Sequence, residues 1–262
     1  MCPNTYGRGE HREVTNGARV TEDPESNDEG YNYDRFGFDE YAVARDRGVE
    51  AGDEAVDATL YDRTGEPVRL SEYWAERPVV VEFGSVTCPI FVETLRAMDR
   101  LAERYADDVT FLVVYTREAH PGGRIGPHGS FEEKLDRADR LHAVDRPRRE
   151  VLVDDLDGTA HRAYDAMPNS VYLVGTDGVV SHRADWSDPD ALATAIESLL
   201  AAGGRGSRVE PTSIEDNFQA PTPSFLRTLV EVLGRAGPGS RRDLLRSLPS
   251  MLVHRLRVRL EG

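Results

Sequence analysis

The sequence has one lysine, Lys134, two cysteines, Cys2 and Cys88, and no apolar run long enough to cross a membrane. Two cysteines exclude a disulfide framework, and a reducing, cytoplasmic compartment is the default for such a chain. The first residues, MCPNTYGRGEHREV, lack the apolar core of a signal peptide. With so little lysine, arginine carries the positive charge, and acids outnumber bases by 47 to 32, for a formal net charge of -15 over 262 residues. Phosphate backbones would be repelled, so nucleic acid is not an expected partner. An acidic, lysine-poor surface resembles that of proteins from salt-accumulating microbes, where dense carboxylates hold water while ions screen ordinary charge. A halophilic microbial source is therefore the expectation. The histidines are scattered without the tight ligand spacing of a zinc site, and no metal is expected.

What is present falls into four parts. Residues 1–48 are polar and acidic without a usable apolar period and read as a disordered lead. Residues 49–203 read as one compact α/β domain, 204–223 as a linker, and 224–262 as a basic amphipathic helical tail. The tail has eight arginines against Glu231, Asp243 and Glu261. It suits a membrane surface, a partner protein, a homodimer contact or docking on its own acidic domain, and the last two fit best.

Within the domain, residues 56–61 and 67–70 predict a short hairpin turning at Thr64 and Gly65. PVVVEF (78–83) and VTFLVVY (109–115) predict buried strands. Between them runs a helix over 89–105 with Phe91, Leu95, Met98, Leu101 and Tyr105 on one face. Ser130 and Glu133 form a capping box for the next helix. A short strand at 151–153, a short helix at 158–164, a hairpin of 171–174 with 179–182, and a helix capped by Asp188 complete the order. A βαβ unit, a connecting helix and then ββα is the order of the thioredoxin-like fold: a central mixed sheet flanked by helices.

Cys88 stands where the first buried strand turns into its helix. Unpaired amides and the helix dipole favour thiolate there, so the address predicts a lowered pKa and a nucleophile. Pro89 suits the first helical turn. Ser85 and Thr87 can turn hydroxyls toward the sulfur or toward charge developing on a substrate. Pro168, entering the strand at 171, reads as a cis proline facing the thiol. His120, at the carboxyl end of the neighbouring strand, can pair with the thiolate or deliver a proton.

The segments FGSVTCPIF, YTREAHP and VDDLDGTAHRAYDAMPNSVYLV resemble the iodothyronine deiodinase family over about residues 54–200. That family has F-G-S-x-T-U-P-x-F, with selenocysteine at U, then Y-x-E-E-A-H-P and V-D-x-M-D. The resemblance places Cys88 on the selenocysteine, Ser85 and Thr87 on the family's Ser and Thr, and Glu118 and His120 on E-A-H. His128 falls near the family's second histidine, which holds the phenolic substrate. Asp185 is close to where the family has a substrate-clamping arginine, and Arg183 is the nearest cation. Sulfur in place of selenium is the main departure.

Together these readings imply a thiol-dependent reductase. The Cys88 thiolate attacks a halogen on an aromatic ring or a peroxide, with no resident cofactor. Phe91 occupies the place a C-x-x-C motif would give a resolving cysteine, so regeneration needs an external thiol or thioredoxin-type reductant. Cys2 is too far along a flexible chain to serve efficiently. The alternatives are a thiol peroxidase, although Val81 stands where the P-x-x-x-[ST]-x-x-C pattern has proline, and a non-catalytic thioredoxin-fold binding module.

Overall fold

The computed structural model describes residues 31–37, 48–145, 147–164, 169–214 and 222–261. The hairpin β1 (Thr59–Tyr61) and β2 (Pro67–Arg69) leads into a short helix α1 (Leu70–Trp74). Then come β3 (Val79–Gly84), α2 (Pro89–Arg104), β4 (Thr110–Tyr115), α3 (Phe131–Val144), β5 (Glu150–Val153) and α4 (Thr159–Ala163). The domain closes with β6 (Val171–Val174), β7 (Val180–Ala184), α5 (Pro189–Ala201) and β8 (Thr212–Ile214). Two helices follow, α6 (Pro223–Ala236) and α7 (Ser240–Glu261).

The strands form one mixed sheet in the order β2-β1-β5-β4-β3-β6-β7-β8. β3, β4 and β5 run parallel, while β6 and β7 return antiparallel. This is the thioredoxin-like fold, widened by a hairpin on one edge and β8 on the other. β3 is buried at every position because both faces are covered. Val79, Val81, Phe83, Leu112 and Val114 face one layer; Val80 and Phe111 face α2 and α5, and Val113 and Tyr115 pack with Cys88 and Phe91. All five residues of the predicted α2 stripe are buried. Each contributes on the order of 1.5–3 kcal/mol of burial relative to exposure.

Two of the four sequence divisions need correction. Residues 31–37 are not a loose lead: Tyr31 and Phe36 are buried against the domain. The composition that hid this is polar, but three aromatic rings anchor the segment. Nor is 204–214 only a connector. It forms a short 3₁₀ turn (Gly206–Arg208) and then β8, which pairs in parallel with β7 through His182, Arg183 and Ala184. The cap of α3 also differs in one partner. Ser130 Oγ accepts from Glu133 N–H at 3.2 Å, but the Glu133 carboxylate accepts from Gly129 N–H at 2.8 Å.

The first helix of the tail lies on its own domain. α6 packs along α2 with Val232, Leu233 and Ala236 buried. Arg235 donates to Asp145 at 2.6 Å and to the Val86 carbonyl at 3.4 Å. The turn after α6 accepts three amides from the loop that follows His120. Gly123 N–H donates to Pro238 O at 2.8 Å, and the Arg124 and Ile125 N–H groups donate to Ala236 O at 2.9 and 3.1 Å. Among the described residues no helix is long and apolar enough to cross a membrane.

Candidate active site

β3 ends at Gly84, where an added Cβ would come within 2.5 Å of the Phe91 ring. The absent side chain lets α2 fold back over the strand. Cys88 is the N-cap of α2 in extended conformation, and its N–H donates to Ser85 O at 3.2 Å. The parallel neighbour β4 ends at Tyr115, and the loop after it carries Glu118 and His120. Two hydroxyls clamp the two strand ends together. Ser85 Oγ accepts from Ala119 N–H at 3.2 Å. Thr87 Oγ1 donates to Glu118 Oε2 at 2.6 Å and accepts from His120 N–H at 3.1 Å, while Thr87 N–H also donates to Glu118 Oε2 at 3.0 Å. The one hydroxyl hydrogen of Thr87 is therefore directed to Glu118, not to the sulfur.

The chain of bonds continues. Glu118 Oε1 is bonded to the Tyr115 hydroxyl, which lies 3.1 Å from His128 Nε2; His128 Nδ1 lies 3.2 Å from Asn32 Oδ1. Asn32 donates its amide to Leu156 O at 2.8 Å, which fixes Oδ1 as the acceptor. By that logic His128 carries its proton on Nδ1, and Nε2 accepts from Tyr115. The phenol then has a single hydrogen between two acceptors. A carboxyl proton on Glu118 would satisfy all of them.

Electrostatics support that assignment. Burial pushes Glu118 above the usual carboxylate range, against the opposing bonds from Thr87 and Tyr115. Burial pushes His128 down to about 3, aided by Lys134 and Arg137, so it is neutral. His120 is pushed down to about 4 by burial alone. The Phe36 ring lies over it at 4.2 Å between centroids, and its buried Nδ1 has no hydrogen-bond partner among the described residues.

The thiol itself corrects the sequence reading. Cys88 is 2% exposed, and its pKa is pushed up to about 12 rather than lowered. The amides of Phe91 and Ile90 do act in the expected direction, but burial outweighs them, and Glu82 and Glu118 add to the upward push. The address is right; the desolvation at that address was invisible in the sequence.

Arg183 is also corrected. Its guanidinium donates to Glu50 at 2.6 Å and Asp185 at 3.2 Å. Its register partner Tyr172 faces the layer opposite the one that holds Cys88. It ties β7 to Glu50, on the layer opposite Cys88. Pro168 lies outside the described residues, as does Cys2. Ser85, Thr87, Cys88, Glu118, His120 and His128 are brought to one corner. Three members were missed. Tyr115 was readable, three residues before Glu118 at the end of a buried strand. Asn32 and Phe36 had no signal in so polar a stretch. Among the described residues no cluster of His, Cys, Asp or Glu could hold a metal ion.

The family model for iodothyronine deiodinase matches residues 36–185, more than half of the chain. The chain belongs to the iodothyronine deiodinase family. Thyroxine 5-deiodinase of Sparus aurata is 36% identical over 114 residues, covering 40% of this chain and 42% of that protein. Type II iodothyronine deiodinase of Fundulus heteroclitus is 34% identical over 127 residues, covering 43% and 48%. The chain thus spans less than half the length of these curated relatives. A solved structure of an uncharacterized conserved protein from Geobacillus kaustophilus aligns with 65% of this chain and 94% of its own, at 19% identity and a TM-score of 0.48.

Proposed function

We propose that this chain is a thiol-dependent oxidoreductase that removes halogen from an aromatic ring, with Cys88 as the nucleophile. The observation that carries the reading is the continuous chain from Thr87 through Glu118 and Tyr115 to His128, built beside a cysteine that caps a helix. Family membership supports the same chemistry.

The Cys88 thiolate attacks the halogen, an S–halogen bond forms, and the carbon–halogen bond breaks. The ring carbon keeps the electron pair and takes a proton, so the ring is reduced by two electrons. An external thiol then displaces halide from sulfur and gives a mixed disulfide. A second thiol releases Cys88 and leaves as the oxidised disulfide. Phe91 stands where a C-x-x-C motif would put a second thiol, and both reducing thiols are taken to come from outside. Glu118 and Tyr115 are positioning residues: they hold Thr87 and the 118–120 loop, and store a proton that Tyr115 can relay to His128. A thiol pushed up to about 12 needs either a base or an opening of the site before it reacts.

The test offers the wild-type chain and Cys88→Ser a monohalogenated phenol, hydrogen peroxide and a small disulfide, each with excess dithiothreitol. We expect halide release by wild type and loss of at least about 10³-fold in Cys88→Ser. Rapid peroxide consumption with no halide released would instead make the chain a thiol peroxidase.

A further inference from the structure

Residues 31–37 cross the candidate site as a strap held by three rings. The Tyr31 ring is buried, with its hydroxyl 2.8 Å from His161 Nδ1. Arg117, Lys134 and Arg162 all stand over that ring, at 5.2, 5.5 and 5.5 Å from its centroid. Cation–π pairs occur roughly once per 70–80 residues; three meet here. The far wall is backbone. At Gly158, φ is +71° and an added Cβ would come within 2.0 Å of the Tyr31 ring. The slot therefore has the thickness of one aromatic ring, and only glycine leaves it open. Lys134, the sole lysine, is held in place by donating to Asp155 O at 2.6 Å.

The rest of the strap reaches the corner beside Cys88. Tyr33 donates its hydroxyl to Ala119 O at 2.9 Å. Asn32 holds His128, and Phe36 covers His120. That last contact is chemically poor. An apolar ring lies over an imidazole whose buried Nδ1 finds no partner among the described residues. A ligand with a polar atom would serve that nitrogen better than Phe36 does.

We infer that the strap is a built-in occupant of an aryl-binding cleft, and that an external phenol, uncharged at neutral pH, takes its place and uncovers His120. This rests on the dehalogenase reading and adds to it that the strap must leave before the ring can enter. The preference for an uncharged phenol follows from the surroundings of Tyr31. Burial and Asp154 push its hydroxyl well above the ordinary tyrosine range, with Arg117 opposing. A phenolate would meet the same penalty. Because the strap competes from within the chain, the apparent affinity for phenol is reduced by the fraction of molecules that are open.

The experiment uses the full chain and 4-iodophenol, with iodobenzene as the ring lacking a hydroxyl. Amide hydrogen exchange of residues 31–37 is followed by mass spectrometry as the phenol is titrated. Saturating 4-iodophenol is expected to speed exchange across the strap by up to about tenfold; iodobenzene is expected to do much less. Tyr31→Ala and Phe36→Ala should each bind 4-iodophenol about tenfold more tightly, as expected if the cleft is open about a tenth of the time in wild type. Binding that leaves the strap protected, or variants that bind no more tightly than wild type, would overturn the inference. If Tyr31→Ala fails to fold, the wild-type exchange titration decides alone. Strap displacement without halide release would sink only the dehalogenase reading. Halide release beneath a strap that stays protected would sink only this one.

Discussion

Two carboxylates lie buried along neighbouring strands, one on β3 and one in the loop after β4, and they are held in opposite ways. Glu82, on β3, meets a cation: Arg149 donates to it and, through Nε, to Asp99 at 3.0 Å, with Asn169 at 3.2 Å and Ser187 also donating to Glu82. Glu118, beyond the end of β4, meets an amide and two hydroxyls, those of Thr87 and Tyr115. A guanidinium fixes charge permanently, and a buried pair of this kind is costly to break but performs no proton transfer. Hydroxyls and amides leave the carboxyl free to exist in either protonation state. The first carboxylate is a strut beneath the sheet; the second is suited to holding and releasing a proton.

The sharpest way to break this comparison is Arg149→Met. It strands Glu82 and Asp99 as buried charges, and unfolding by urea should show a loss of about 3–5 kcal/mol. Adding Glu82→Gln should recover part of it. An intermediate effect comes from acid. His120 and His128 have folded-state pKa values of about 4 and about 3, below the unfolded value of about 6.5. Their contribution is complete above pH 6.5 and is lost as pH falls toward 4. Between pH 7 and pH 5 the loss should be about 2 kcal/mol per histidine. His120→Asn and His128→Asn should each flatten that slope, and an unchanged slope would show that neither ring is buried neutral.

The smallest expected stability change is for Glu118→Gln. An amide can accept from Thr87 and donate to Tyr115 as a protonated carboxyl would, so stability should move by less than about 1 kcal/mol. Turnover should nevertheless fall about 10²-fold, because the amide carries no transferable proton. A variant as active as wild type would reduce Glu118 to a second strut.

The fold was legible because its signals are local and repetitive. The five-residue stripe on α2, the two β-rich runs and the Asp188-Pro189 helix start each report their own surroundings. The site was legible where function is written as residue type at a chain turn: Ser85, Thr87, Cys88, Glu118 and His120. What could not be read depends on distant partners. Desolvation at Cys88 is set by Tyr115, Phe91 and their neighbours together. Arg183 has the right charge, but its use was decided by Glu50, far away in sequence. Asn32, Tyr31 and Phe36 sit in a stretch whose composition describes its flanks, not its anchors.

One connection joins the chain's last helices to its chemistry. Three consecutive amides a few residues past His120 end on carbonyls at the α6–α7 turn. A protease that trimmed the chain ahead of Ala236 would remove those acceptors in a single cut. The polypeptide left behind would not be the same catalyst made shorter. Residues 123–125 would lose their anchors while Ser85 and Thr87 still held Ala119 and His120, so the C-terminal helices work as a remote fastening for the loop that continues from the candidate site.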